Sequence, residues 1–90
     1  MKPKYIVYEV INTGIQEAKI FSAWENHCDI ANPLLDRSII LGAGEFSLGI
    51  DADNNIQVSC FGKSTTLDIK SRGEDDSRVI RQLLRIGEFT

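Results

Sequence analysis

Ser71-Arg72-Gly73-Glu74-Asp75-Asp76-Ser77-Arg78-Val79-Ile80-Arg81-Gln82-Leu83-Leu84-Arg85-Ile86-Gly87 is the stretch that decides the fold. It predicts an amphipathic helix with a start, a buried stripe and a stop. Ser71 and Glu74 have the S-x-x-E spacing of a capping box, in which each side chain satisfies a backbone N–H that the helix start leaves open. Glu74, Asp75 and Asp76 fall where the helix dipole favours negative charge, and Arg81 and Arg85 fall toward the end, where it favours positive charge. Val79, Ile80, Leu83 and Leu84 share one face at three- and four-residue spacing. Gly87 offers a left-handed stop. The apolar face needs a surface to cover.

That surface is expected upstream. Residues 4–12 are rich in β-branched and aromatic side chains, with Ile6, Tyr8 and Val10 on one side and Tyr5, Val7 and Ile11 on the other. A strand apolar on both sides is central, covered on both faces or on one face plus an interface. Asn12-Thr13-Gly14 signals a turn. Ile15 to Phe21 then reads as the returning strand of a hairpin, with Ala18 and Ile20 alternating against Glu17 and Lys19. Ser22-Ala23-Trp24-Glu25 forms a second capping box, followed by Trp24, Cys28, Ala31 and Leu35 at helical spacing. Pro33 ends this helix near Ala31 or Asn32, because the residue before proline avoids the helical region.

Ser38 to Leu41 looks extended, and Gly42-Ala43-Gly44 permits a bend or bulge. Phe46, Leu48 and Ile50 alternate with polar or small residues, as do Ile56, Val58 and Cys60. Asp51-Ala52-Asp53-Asn54-Asn55 is the hairpin loop between them. Gly62 to Thr66 turns the chain, and Leu67 and Ile69 make a short edge strand. The expected fold is α+β in the order β-β-α-β-β-(β)-α. Its mostly antiparallel sheet has about four to five strands, and both helices pack on one face.

The 90 residues form one domain, with 42% apolar and 26% charged residues, ordinary globular usage that argues against disorder. A net charge of −3 names no partner and weighs mildly against a dedicated nucleic-acid binder. Two cysteines, Cys28 and Cys60, are too few for a disulfide-built secreted domain and suit a reducing cytoplasm. The first ten residues lack the apolar run of a signal peptide, and no stretch approaches a membrane span.

Several short patterns invite chemistry. Gly62-Lys63-Ser64-Thr65 resembles the end of a phosphate-binding loop, but Gln57 stands where the first glycine belongs and a strand-like segment follows. Asp51 to Asn55 begins like a calcium loop, but Ile56 and Gly62 occupy its glycine and glutamate positions. His27, Cys28 and Cys60 are one ligand short of a structural zinc site, unless Asp29 joins them. Cys60 paired with His27 would make a nucleophile, but both cysteines lie on apolar faces, where cysteine acts as a small hydrophobe. No cofactor is expected.

Cys60-Phe61-Gly62-Lys63-Ser64-Thr65-Thr66-Leu67, followed by Ser71-Arg72-Gly73-Glu74-Asp75 and the apolar helix, resembles a pattern in small uncharacterised proteins of bacteria and their phages. In those a C-x-G-x-S-x-S-L segment leads into an S-R-x-x-D helix start. Thr66 stands here where serine is usual, and Gly73 where proline is common. The resemblance covers roughly the last third of the chain. It implies an accessory protein of a phage or prophage setting and carries no catalytic residue or cofactor with it.

The functional expectation is a small non-catalytic cytoplasmic protein that binds another protein or itself as a homodimer. Candidate partner-binding residues are Trp24, with Glu25 and Asp29 as a rim, and Arg78, Arg81 and Arg85 along the last helix. Tryptophan and arginine are over-represented among interface hot spots. The alternative is a nucleic-acid-binding module using the basic helix face, with Lys70 and Arg72 beside it. The bland readings are a core tryptophan and a solvated helix face.

Overall fold

The computed structural model describes residues 2–88. Strands β1 (Lys4–Val10), β2 (Gln16–Phe21), β3 (Ser38–Ile50) and β4 (Ile56–Phe61) form an antiparallel sheet in the order β2-β1-β3-β4. Helix α1 (His27–Ala31) and a 3-10 turn (Asn32–Leu34) join β2 to β3. Strands β5 (Lys63–Ser64) and β6 (Ile69–Lys70) pair as a small separate hairpin. Helix α2 (Glu74–Glu88) follows. The α+β class, the antiparallel sheet and the rough element order are those expected.

Turn chemistry sets the registers. Thr13 and Gly14 both donate their N–H to the Val10 carbonyl, and Val10 donates back to Ile15. Gly14 has φ 68°, a left-handed conformation that glycine adopts without strain and that lets the turn close. At the other hairpin, the Asp51 carboxylate accepts from the N–H groups of Asp53 and Asn55 and from the Gln57 amide. Strand β3 carries a bulge opposite Val7 and Tyr8, beside the Gly42-Ala43-Gly44 run.

Contrary to the expectation from sequence, the helices do not share one face of the sheet. Tyr5, Val7, Ala18, Phe46 and Val58 pack with Ile80 of α2. Ile6, Tyr8 and Ala43 pack with Ala31 of α1 on the opposite side, bordered by Leu34, Leu67 and Ile69. Successive residues of β1 alternate between faces, and four consecutive ones, Tyr5 to Tyr8, are buried. Two apolar faces require two covers, so each helix takes one.

The helix caps also differ from those expected. At α1 the N-cap is Asn26, whose Oδ1 accepts from Cys28 N–H at 2.8 Å. Ser22 to Glu25 form only a turn, closed by Glu25 N–H on the Ser22 carbonyl. Phe21 stays paired with Lys4, and the Lys4 ammonium holds the Glu25 carbonyl, so the helix starts later. Trp24 consequently falls outside the helix and is 85% exposed. At α2 Ser71 accepts from Gly73 N–H, but Asp76 replaces Glu74 as the side chain that reaches back, taking Arg72 N–H at 2.9 Å. The helix continues through Gly87 to Glu88 instead of stopping there. Leu83, expected in the stripe, is 38% exposed, and Ile80 is the fully buried member.

Candidate functional site

Strand β2 is an edge of the sheet, and α2 crosses the same face beside it. Between them lies an open groove of about 780 Å³. Ile15 to Ala18 form one wall, and Arg72, Asp75, Arg78, Val79, Gln82 and Leu83 form the other. The apolar floor of the groove is Ala18 and Val79, with exposed Ile15 and Leu83 at its mouth. Charge of both signs flanks it: Arg72 and Arg78 against Asp75.

The groove's shape depends on how α2 is seated. The Asp76 carboxylate is fully buried and has three donors. Arg72 Nε reaches Oδ1 at 2.7 Å, and Tyr5 OH and Arg72 N–H reach Oδ2 at 2.6 and 2.9 Å. The Tyr5 oxygen also lies 2.7 Å from Ser71 Oγ. A phenol has one proton; with that proton on Asp76, Ser71 is left to donate to Tyr5. Burial, and then donation to Asp76, push the Tyr5 phenol far above its ordinary range. Gly42 makes room for this carboxylate, since a Cβ there would overlap the Asp76 side chain. The next residue, Ser77, accepts from Cys60 N–H and donates to the Gly73 carbonyl. Arg72 then projects past Asp76 and donates through Nη2 to the Gln16 side-chain oxygen at 3.2 Å, bridging the helix start to the edge strand.

Backbone polarity completes the site. In an antiparallel ladder alternate residues direct both N–H and C=O toward the same neighbour. Val10 is hydrogen-bonded to Ile15, and Tyr8 stands opposite Glu17. Glu17 and Lys19 therefore face β1 with their backbone groups. Gln16, Ala18 and Ile20 direct theirs to the open side. This edge is not blocked by proline, and Ile20 is exposed beside it.

The residues expected to bind a partner do not form one surface. Trp24, Glu25 and Asp29 belong to the α1 side, while Arg78, Arg81 and Arg85 lie on α2 across the sheet. Trp24 is exposed and so available. Arg78 pairs with Asp75 at 3.6 Å and lines the groove. Arg81 reaches Glu74 at 3.4 Å on the other flank, and Arg85 is exposed. These carboxylates offset part of the charge that the helix offers to phosphate.

His27 and Cys60 also lie on opposite faces. His27 is buried on the α1 side, its Nε2 3.0 Å from the Gly44 carbonyl and its ring edge-on to Phe21. Burial lowers its pKa, which favours the neutral ring. Cys60 is half-buried on the α2 side, and burial raises its thiol pKa, the opposite of what a nucleophile needs. Among the described residues no three His, Cys, Asp or Glu side chains gather as a metal site. None of the described helices is long and apolar enough to cross a membrane.

The edge residues were not among the expected site residues. Their only signal was the short alternation of Glu17 and Lys19 against Ala18 and Ile20. In the sequence Arg72 reads only as a basic neighbour of the helix. No protein-family model, curated protein or solved structure matches this chain.

Proposed function

We propose that this is a non-catalytic binding protein whose partner engages the β2 edge beside the β2–α2 groove. The supporting observation is an unpaired strand edge next to a cleft that carries both apolar and charged side chains. An extended segment laid there gains main-chain hydrogen bonds from Gln16, Ala18 and Ile20, and its side chains enter the groove, the mode known as strand addition. Trp24, with Glu25 and Asp29, offers a second, separate contact on the far face. The resemblance to bacterial and phage proteins, with two free thiols, suits an accessory protein of the cytoplasm.

Site-specific photocrosslinking tests this. A crosslinker replacing Ile20 or Gln82 should give protein adducts in native host lysate, including adducts to the chain itself. The same group at Asn54, on the β3–β4 loop, should not. Equal labelling at all three positions, or none at any, refutes the reading.

The nucleic-acid alternative has less behind it, since Arg78 and Arg81 both have carboxylate neighbours. It requires affinity for polynucleotide that falls steeply with salt and disappears when Arg78, Arg81 and Arg85 become alanine.

A further inference from the structure

We propose that the partner at the β2 edge is a second copy of this chain, joined β2 to β2 in antiparallel orientation about a two-fold axis at Ala18. The proposal rests on the reading that the β2 edge is a binding site, and it names the occupant and the register.

The register follows from the backbone. Along β2 it is Gln16, Ala18 and Ile20 that direct their N–H and C=O groups away from β1, so residues that exchange hydrogen bonds across the new ladder must come from this set. A two-fold axis at Ala18 places Ala18 against Ala18 of the second copy and Gln16 against its Ile20. All three outward-facing residues are then used, and the two four-stranded sheets become one of eight. Moving the axis to Gln16 or Ile20 leaves most of them unpaired.

The same axis fixes the side chains, and the charges are complementary. Between the hydrogen-bonded pairs, Glu17 stands directly opposite Lys19 of the second copy, and Lys19 opposite its Glu17. Both side chains are exposed on the α1 side of the sheet. Opposite charges at directly facing positions stabilise a strand pair, and like charges there destabilise it. On the α2 side, Gln16 and Ile20 alternate across the junction around the two Ala18 residues. Small Ala18 lets the strands meet beside the groove without a bulky side chain on the axis. Because the contact is isologous it closes on itself, giving a dimer and not a filament.

Lys19 has a competing explanation, since lysine on an edge strand commonly guards against pairing. The two accounts predict opposite results. Light scattering over a concentration series should show wild-type chains reaching twice the monomer mass. At low ionic strength Lys19→Glu, which sets Glu17 against a glutamate twice over, should raise the dissociation constant by about tenfold. Glu17→Lys should do the same. An equimolar mixture of the two variants should form the mixed dimer in preference to either homodimer by native mass spectrometry, and the double exchange E17K/K19E should restore wild-type affinity. Ala18→Pro deletes an N–H that only the dimer uses, so it should give a monomer with an unchanged circular dichroism spectrum.

Tighter association of Lys19→Glu would mean that Lys19 is a guard and would overturn the proposal, as would a dimer indifferent to all four variants. A wild-type chain that stays monomeric up to millimolar concentration also overturns it. In that case crosslinks from positions 20 and 82 to a different protein leave the β2-edge reading standing, and their absence removes both.

Discussion

On one side of β1, Tyr5 and Val7 lie beneath a single helix of 15 residues; on the other, Ile6 and Tyr8 lie beneath a five-residue helix, a 3-10 turn and the β5–β6 hairpin. The long helix carries its own periodicity, but an apolar stripe alone lets a helix roll or slide on a sheet. A buried polar cluster supplies the missing constraint: Asp76 ties α2 to Tyr5 of the sheet and to Arg72 before the helix. The opposite cover is assembled from pieces, each closed by its own short-range hydrogen bonds, such as Ser64 Oγ with Leu67 N–H. Thr66, at 3.1 Å from Asn26 Oδ1, stitches the hairpin to the start of α1. A single long cover needs a specific anchor; a segmented cover is positioned by its turns.

Substitutions can break that contrast. The largest effect is expected at Ile80, fully buried at the centre of the α2 contact. Ile80→Ala should lose about 2–5 kcal/mol in denaturant unfolding, against a total on the order of 5–9 kcal/mol. Asp76→Asn keeps the shape but turns one acceptor oxygen into a donor that faces Tyr5 and Arg72. A loss of about 1–3 kcal/mol is expected, and unchanged stability would mean that the polar cluster is not the anchor. Leu83→Ala tests the margin of the same helix: the side chain lies at the groove mouth, so about 1 kcal/mol is expected. A Leu83 loss equal to that at Ile80 would erase the distinction between core and groove.

The α1 side has a pH signature instead. Burial lowers the His27 pKa below its ordinary 6.5, so the unfolded chain binds that proton more readily than the folded one. The sign is therefore a loss of stability as pH falls below about 6.5, with no loss above it. Urea midpoints between pH 7.5 and 5 should fall for the wild type and fall less for His27→Gln.

The parts of the fold legible in the sequence are those with a repeated local signal. The α2 stripe, the two-sided β1 and the Asp51–Asn55 loop were readable because period and turn chemistry act over a few residues. Misreadings arose where two local signals competed. Ser22-x-x-Glu25 and Asn26 both offer a helix start; Asn26 prevails because strand pairing at Phe21 and the Lys4–Glu25 contact hold the chain before it. Glu74 and Asp76 both offer a carboxylate to the α2 start, and only Asp76 points inward. The placement of the two helices on separate faces depends on contacts well outside a local window, such as His27 with Gly44 and Ser77 with Cys60, and the groove between residues 15–18 and 72–83 on contacts across more than fifty residues, such as Arg72 with Gln16; a local pattern carries no sign of either.

Gly42 and Asp76 are separated by 34 positions in the chain yet occupy one volume, because the space a Cβ would take at 42 is filled by the carboxylate. The two sites are thus not free to vary independently. While 76 holds an acid, 42 admits no side chain; a lineage that lost the acid would at once find 42 permissive, and having filled it could not easily return. The seating of α2 is in that sense a ratchet, written into two letters of the sequence.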